Sequence, residues 1–382
     1  MNDNNNISLS YESLWKFIIR PPRDNYSLDE LGYPNFVYKS KNYYRKDLEL
    51  ISSQGYKMKC SLIEPEPKSR PSKMMPIVIY LHGNASSRLE GLRSLEILLP
   101  HGINLFLVDL PGSGLSEGEY ISLGYYESHD LGIIIDFLEN YPGVGKIGVW
   151  GRSMGAVTTL IYSHKDPRIK ALCIDSPFAN FCRLSKELTT KYINIPEFIL
   201  NGILSILRGT IISKNGLDIY KLNPIEKASI TYQPAMFIHA IKDELINLQH
   251  AIDIFNIYGG EKSLKCSEIG GHNSKRPKRI TKEVGNFFEK YLSNDKNEFQ
   301  FNSKNEISSG EEDEGLYDIK NVNSFSQESE LNIREEKYIS QKEKEEKQSL
   351  DEIKSILSSI NPNEINSERV NINNLYFKKI IK

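Results

Sequence analysis

Short apolar runs alternate with amphipathic stretches over roughly the first 292 residues. Pro76–Leu81, Ile103–Asp109, Lys146–Trp150, Ala235–His239 and Lys265–Ile269 are compact, β-branched-rich segments, and a further run ends at Asp175. Runs of this length and composition predict strands buried on both faces. Between them, helical spacing predicts helices over about Ser87–Leu99, Gly124–Glu139, Met154–Ser163, Asn247–Phe255 and Lys275–Leu292. In the second, Leu131, Ile134, Ile135 and Leu138 form one apolar stripe. Such alternation implies a mostly parallel sheet with helices on both faces and a site at the carboxyl edge of its strands. Ahead of it, Leu48–Ser52 and Tyr56–Ile63, joined by Ser53-Gln54-Gly55, predict an antiparallel hairpin.

The run from Lys146 ends in Gly151-Arg152-Ser153-Met154-Gly155, and a helix-forming stretch follows directly. A serine on a sharp strand-to-helix turn with glycine two residues to either side has the form of a nucleophile elbow. The turn leaves no room for side chains at Gly151 and Gly155, and it exposes Ser153 above a helix N-terminus that favours developing negative charge. By chance alone the five-residue pattern occurs in about one chain in eight of this length, so its surroundings decide. The strand at Pro76–Leu81 runs into His82-Gly83-Asn84-Ala85, where an oxyanion-binding amide is expected from Asn84 or Ala85, with Met154 giving the second. An acid and a histidine follow at later strand ends, Asp243 and then His272, in the order this chemistry needs. Asp175 also ends a strand and is the alternative acid. His82 and His239 read as structural, Asp109 as turn-forming, and Arg152 either as a contact for an anionic substrate group or as an ion-paired side chain.

On these residues the chain resembles the α/β-hydrolases, specifically the serine-aminopeptidase-like (S33) group, with its closest likeness to largely uncharacterised plant and protist members. The segments that carry the resemblance are Phe17–Arg23, Leu81–Asn84, Gly112–Gly118, Trp150–Ala156, Asp175–Phe178, His239–Asp243 and Gly271–Asn273. Together they span about Leu14 to Leu292, with Pro111 departing from the basic or polar residue many relatives carry. The resemblance implies an α/β-hydrolase fold with a mostly parallel eight-stranded sheet and a small helical lid. It also implies a Ser153–His272–Asp243 triad without metal or cofactor. The expected activity is hydrolysis of an ester or thioester, or an amide, of a small or acylated substrate. An aminopeptidase is disfavoured because no acidic pair is evident to bind a free amino terminus. The competing reading is a binding or scaffold protein that keeps the fold without turnover.

Composition narrows the picture. A formal net charge of -2 over 382 residues leaves no electrostatic footprint for nucleic acid. No stretch is apolar enough to span a bilayer, and no secretory signal is visible, so a cytoplasmic location is expected. The four cysteines lack pairing or metal-ligand spacing, in keeping with a reducing compartment. Residues 1–44 read as an N-terminal extension. Its Leu14, Trp15, Phe17, Ile18 and Ile19 are expected to pack on the hydrolase body of residues 45–292, with peripheral membrane contact as the alternative. Residues 179–232 interrupt the alternation with apolar helices, among them Phe181, Leu184, Ile193, Ile195, Phe198 and Leu204, and read as the lid. Residues 293–382 are charged and of low complexity, with too little apolar content to order themselves. Within them, one helical patch (Leu350, Ile353, Ile356, Leu357, Ile360) and the basic, apolar end Tyr376–Lys382 stand out.

Overall fold

The computed structural model describes residues 11–192 and 197–293. Ile193, Ile195, the helical patch at 350–360 and the basic end at 376–382 lie outside the described residues, as does nearly all of the low-complexity tail.

Among the described residues, one nine-stranded sheet organises the fold. Helix α1 (Tyr11–Ile19) precedes three strands, β1 (Asn35–Tyr38), β2 (Lys41–Ile51) and β3 (Lys57–Pro65). These pair antiparallel in sequence, and β3 pairs antiparallel with β5 (Asn104–Val108). From β5 onward every pairing is parallel, through β4 (Met75–Leu81), β6 (Val144–Arg152), β7 (Ile169–Asp175), β8 (Ala235–Ala240) and β9 (Lys262–Ser267). The expected eight strands become nine because β1 folds back onto β2 within the stretch read as an N-terminal extension, and residue 45 itself lies inside β2. The connecting residues Lys39 and Ser40 both have positive φ, 45° and 61°. A hairpin turn of that kind normally announces itself with Asn-Gly or Asp-Gly, and neither is present.

Alternation along β4 divides the core between two faces. Ile77, Ile79 and Leu81 pack with α3 (Tyr125–Glu139) and α4 (Met154–Ser163) through Leu131, Ile134, Ile135, Val157 and Leu160. Val78 and Tyr80 point the other way. They join α2 (Leu95–Leu98) and the stripe Ile280, Val284, Phe287, Phe288 and Leu292 of α9 (Lys278–Leu292). The helix expected over Ser87–Leu99 divides into a 3-10 turn, Arg88–Ser94, and α2. Gly91 lets that turn press onto the sheet, since a Cβ there would fall 2.4 Å from Leu107 Cδ2.

The interval read as a lid holds α5 (Phe181–Tyr192), α6 (Glu197–Asn215) and α7 (Ile225–Ala228), and α8 (Leu248–Ile257) follows β8. The four cysteines are unpaired. Among the described residues no helix is long and apolar enough to cross a membrane. Strand order reverses at β4, with β5 on one side and β6 on the other. Connections leaving the carboxyl ends of those strands diverge to opposite faces, which opens the crevice where open α/β sheets hold their ligands.

Candidate active site

The β6–α4 turn is built by the absence of side chains. A Cβ on Gly151 would lie 2.2 Å from the Gly155 carbonyl oxygen, and one on Gly155 would lie 2.0 Å from that of Leu81. Only glycine allows α4 to start this close to the ends of β6 and β4. Ser153 sits between them at φ 51°, ψ -112°, a backbone conformation side chains rarely adopt. Its amide donates to Asp175 O at 2.8 Å and its carbonyl accepts from Val157 N at 3.0 Å.

His272 lies on the loop after β9 and is almost fully buried. Its Nε2 is 3.1 Å from Ser153 Oγ, and its Nδ1 is 2.7 Å from Asp243 Oδ2. The carboxylate leaves the imidazole Nδ1–H as its donor, so Nε2 faces the serine hydroxyl as acceptor. Asp243 Oδ1 accepts from Leu245 N at 3.0 Å and Ile246 N at 2.7 Å. Burial alone would raise this carboxyl's pKa, but facing His272, His239 and these amides outweighs it, and Asp243 is held well below the usual carboxylate range. The structure therefore brings together Ser153, His272 and Asp243 from the ends of β6, β9 and β8.

Asp175, the alternative acid, is turned to another partner. Arg276 Nη2 donates to its Oδ1 at 2.8 Å, and Nε lies 3.2 Å from each oxygen. His239 is buried behind Asp243, with Nε2 2.8 Å from Ile246 O and 3.4 Å from Asp243 Oδ2. Burial lowers its pKa, which favours the neutral ring. His82 holds the turn after β4. Its Nδ1–H donates to Gly83 O at 2.7 Å, and its Nε2 accepts from Leu110 N at 3.1 Å. Asp109 organises the next loop by accepting from Tyr26 OH, Arg88 N and Leu115 N.

Of the two expected oxyanion donors, Met154 is the first residue of α4, so its amide has no acceptor within the helix. The Gly83–Asn84 turn passes beside the nucleophile, since a Cβ on Gly83 would lie 3.7 Å from Ser153 Cβ. Gly83 N donates to Glu90 Oε2 at 3.2 Å and is thereby occupied.

The sequence reading missed Glu90, Arg276 and Glu244. Of the two readings of Arg152, the ion-paired one holds: it is buried and paired with Glu90, Nη1 to Oε1 being 3.0 Å. Burial works against both charges, yet their attraction prevails: Glu90 is held well below its ordinary pKa and Arg152 above. Glu244 Oε2 accepts from His272 N at 3.1 Å, and Arg276 donates to the carbonyls of Gly271 and His272. Arg276 shares the loop of His272 and Glu244 adjoins Asp243, but the side-chain directions that make them partners are set by the packing of loops on one another and not by a periodic spacing.

Comparison with known proteins agrees with this architecture. Residues 72–213 match the family model described as serine aminopeptidase, S33. The uncharacterized protein YqkD of Bacillus subtilis is 27% identical over 274 residues, 70% of this chain and 86% of that protein. The lysophosphatidylserine lipase ABHD12 of Xenopus tropicalis is 23% identical over 216 residues, 52% of this chain and 50% of its own. The chain thus spans about half the length of that lipase. Among solved structures, an esterase of Pyrococcus furiosus superposes with a TM-score of 0.53 at 22% identity, covering 66% of this chain and 92% of its own. An acetyl xylan esterase from Paenibacillus sp. R4 reaches 0.54 at 16% identity, covering 74% and 100%. The chain has the α/β-hydrolase fold. A closest likeness to plant and protist members finds no support in these bacterial, vertebrate and archaeal relatives.

Proposed function

We propose that the protein is a serine hydrolase that cleaves a carboxylic ester or thioester through an acyl-enzyme. One observation carries the reading: His272 bridges Ser153 Oγ and Asp243 Oδ2 at hydrogen-bond distance from three separate strand ends. In this reading His272 Nε2 takes the Ser153 proton as Oγ attacks the acyl carbonyl. Asp243 keeps the proton on Nδ1 and stabilises the imidazolium. The amides of Met154 and Asn84 receive the oxyanion, each donor contributing about 2.7–4 kcal/mol in comparable sites. His272 then protonates the leaving group, and water repeats the cycle to free the acid.

The activities by which the esterase and lipase relatives are named favour an ester over an amide. The helices α5 and α6 supply a lid whose apolar side chains suit an acyl group. Four unpaired cysteines support a reducing compartment such as the cytoplasm.

The test is labelling by a fluorophosphonate together with hydrolysis of p-nitrophenyl acetate. Wild type should label, and Ser153→Ala should lose labelling and about 10⁴–10⁶-fold in kcat with its melting temperature unchanged. Labelling that survives in Ser153→Ala would remove the nucleophile assignment. A folded wild type that neither labels nor turns over any ester or thioester would favour a binding protein on the same fold.

A further inference from the structure

One buried ion pair joins three loops of the site. Glu90 Oε2 accepts from Gly83 N, in the turn after β4, at 3.2 Å. Glu90 Oε1 accepts from Tyr80 OH at 2.9 Å and from Arg152 Nη1 at 3.0 Å. Arg152 directly precedes Ser153, and its Nη2 donates to His272 O at 2.8 Å and to Asn273 Oδ1. A continuous chain of hydrogen bonds thus runs from the Gly83 peptide, through the carboxylate and the guanidinium, to the peptide of His272. The side chains of Glu90 and Arg152 are 1% and 9% exposed.

Burying such a pair is poor value for stability. Replacing a buried pair with apolar residues of similar volume is often neutral or stabilising, whereas removing one partner is costly. What the pair supplies here is geometry. A guanidinium is planar and forked, so a carboxylate on one side and a carbonyl on the other are set at a fixed separation. The carboxylate also occupies Gly83 N–H, which orients the peptide leading into Asn84.

We propose that Glu90 and Arg152 are a positioning pair that sets the oxyanion turn and His272 against Ser153. Neither residue meets the reacting atoms. The inference rests on the serine-hydrolase reading above. It also assigns Arg152 away from substrate, because both arms of its fork are occupied.

Two variants test it. Glu90→Leu/Arg152→Met removes the pair without leaving a lone buried charge. Arg152→Lys keeps a cation for Glu90, but its ammonium lacks the fork that reaches Glu90 and His272 O together. Melting temperature, kcat and KM for p-nitrophenyl acetate, and the rate of fluorophosphonate labelling are measured for each. In the double variant kcat and labelling rate should fall about 100-fold, the cost of a roughly 1 Å misplacement, with KM within about threefold and the melting temperature lowered only by the few degrees that unpairing Gly83 N–H and Tyr80 O–H costs. Arg152→Lys should fold as wild type and lose kcat while KM holds. Wild-type kcat in either folded variant would overturn the proposal, and should the double variant fail to fold, Arg152→Lys decides. A loss of kcat matched by an equal loss of melting temperature and a rise in KM would mean a merely structural pair, and would overturn it too. Ser153→Ala in the same assay separates the two readings. If it remains active, the serine-hydrolase reading fails. If it is dead while the pair variants keep wild-type kcat, only the positioning role fails.

Discussion

Asp243 and Asp130 are both buried carboxylic acids, and their partners drive them in opposite directions. Asp243 faces His272 and His239 and accepts from two amides, so it stays ionised. Asp130, on α3, accepts from Ser53 N at 2.7 Å through Oδ1, while its Oδ2 is buried with no partner among the described residues. Burial raises its pKa from 3.8 to about 6, the Ser53 bond opposing the rise and nearby Glu127 adding to it. The folded state therefore holds a proton that the unfolded chain has released between about pH 4 and pH 6. Stability contributed by this group falls as pH rises through that window, and the penalty is complete above it. Asp130→Asn keeps an acceptor for Ser53 N and never ionises. It should fall about 1–2 kcal/mol below wild type near pH 4, because the new amide N–H₂ meets no partner, and exceed it by about 1–2 kcal/mol at pH 8, where wild type bears the buried charge. Urea melts from pH 4 to 8 measure this, and a stability relative to wild type that does not rise between pH 4 and 6 would rule out burial of the Asp130 charge as its source.

At the scale of elements, the site depends on how closely α4 approaches β4. Gly155→Ala would place a methyl 2.0 Å from Leu81 O, a backbone atom that cannot rotate aside. The helix must then retreat, carrying the Met154 amide and Ser153 with it. Gly155→Ala should cost about 1–3 kcal/mol or more in stability and about 100-fold in kcat, checked by thermal melts and p-nitrophenyl acetate turnover. A variant with wild-type kcat would show that the turn tolerates a wider angle. This elbow was legible in the sequence because one short window contains strand, turn and helix. The parallel strands and α3, α4, α8 and α9 were legible for the same reason, each being a local pattern of apolar residues. Element ends were less so: β2 and β3 extend beyond the expected hairpin to Lys41 and Pro65. The edge strand β1 escaped notice because Asn35–Tyr38 is only half-buried at best and its turn uses Lys39-Ser40. Candidate residues at strand ends could be named in advance, but Glu90, Glu244 and Arg276 could not. Their roles follow from pairing between loops, which no periodicity encodes.

Across the whole molecule, the segment before β1 links regions that the sheet alone leaves separate. Trp15, Ile19, Tyr26 and Leu31 are buried. Tyr11 OH donates to Ile206 O of α6 at 3.2 Å, and Ile121 N donates to Ile19 O at 2.8 Å. Arg23 donates to the carbonyls of Ser116 and Gly118, fixing the loop after β5, and Arg45 on β2 holds Leu31 O and Gly32 O. The segment thus touches α6, the loop that follows Asp109, and the sheet edge. Four buried side chains at about 1.5–3 kcal/mol each amount to roughly 6–12 kcal/mol, an upper figure because the unfolded chain already hides some apolar surface. That is as large as the net stability of a typical domain. At about 2 °C lost per kcal/mol, the low end of the range because the chain is large, removal of residues 1–34 should lower the melting midpoint by up to roughly 12–24 °C or abolish cooperative unfolding. Fluorophosphonate labelling should fall with it, since the loop after β5 packs against the turn that carries Asn84. Trp15→Ala, which removes one of the four contacts and leaves Arg23 in place, should lose about 3–5 kcal/mol, with labelling retained below its lowered midpoint. A chain starting at residue 35 that melts and labels like wild type would show that the sheet and its crossovers hold the site without this segment.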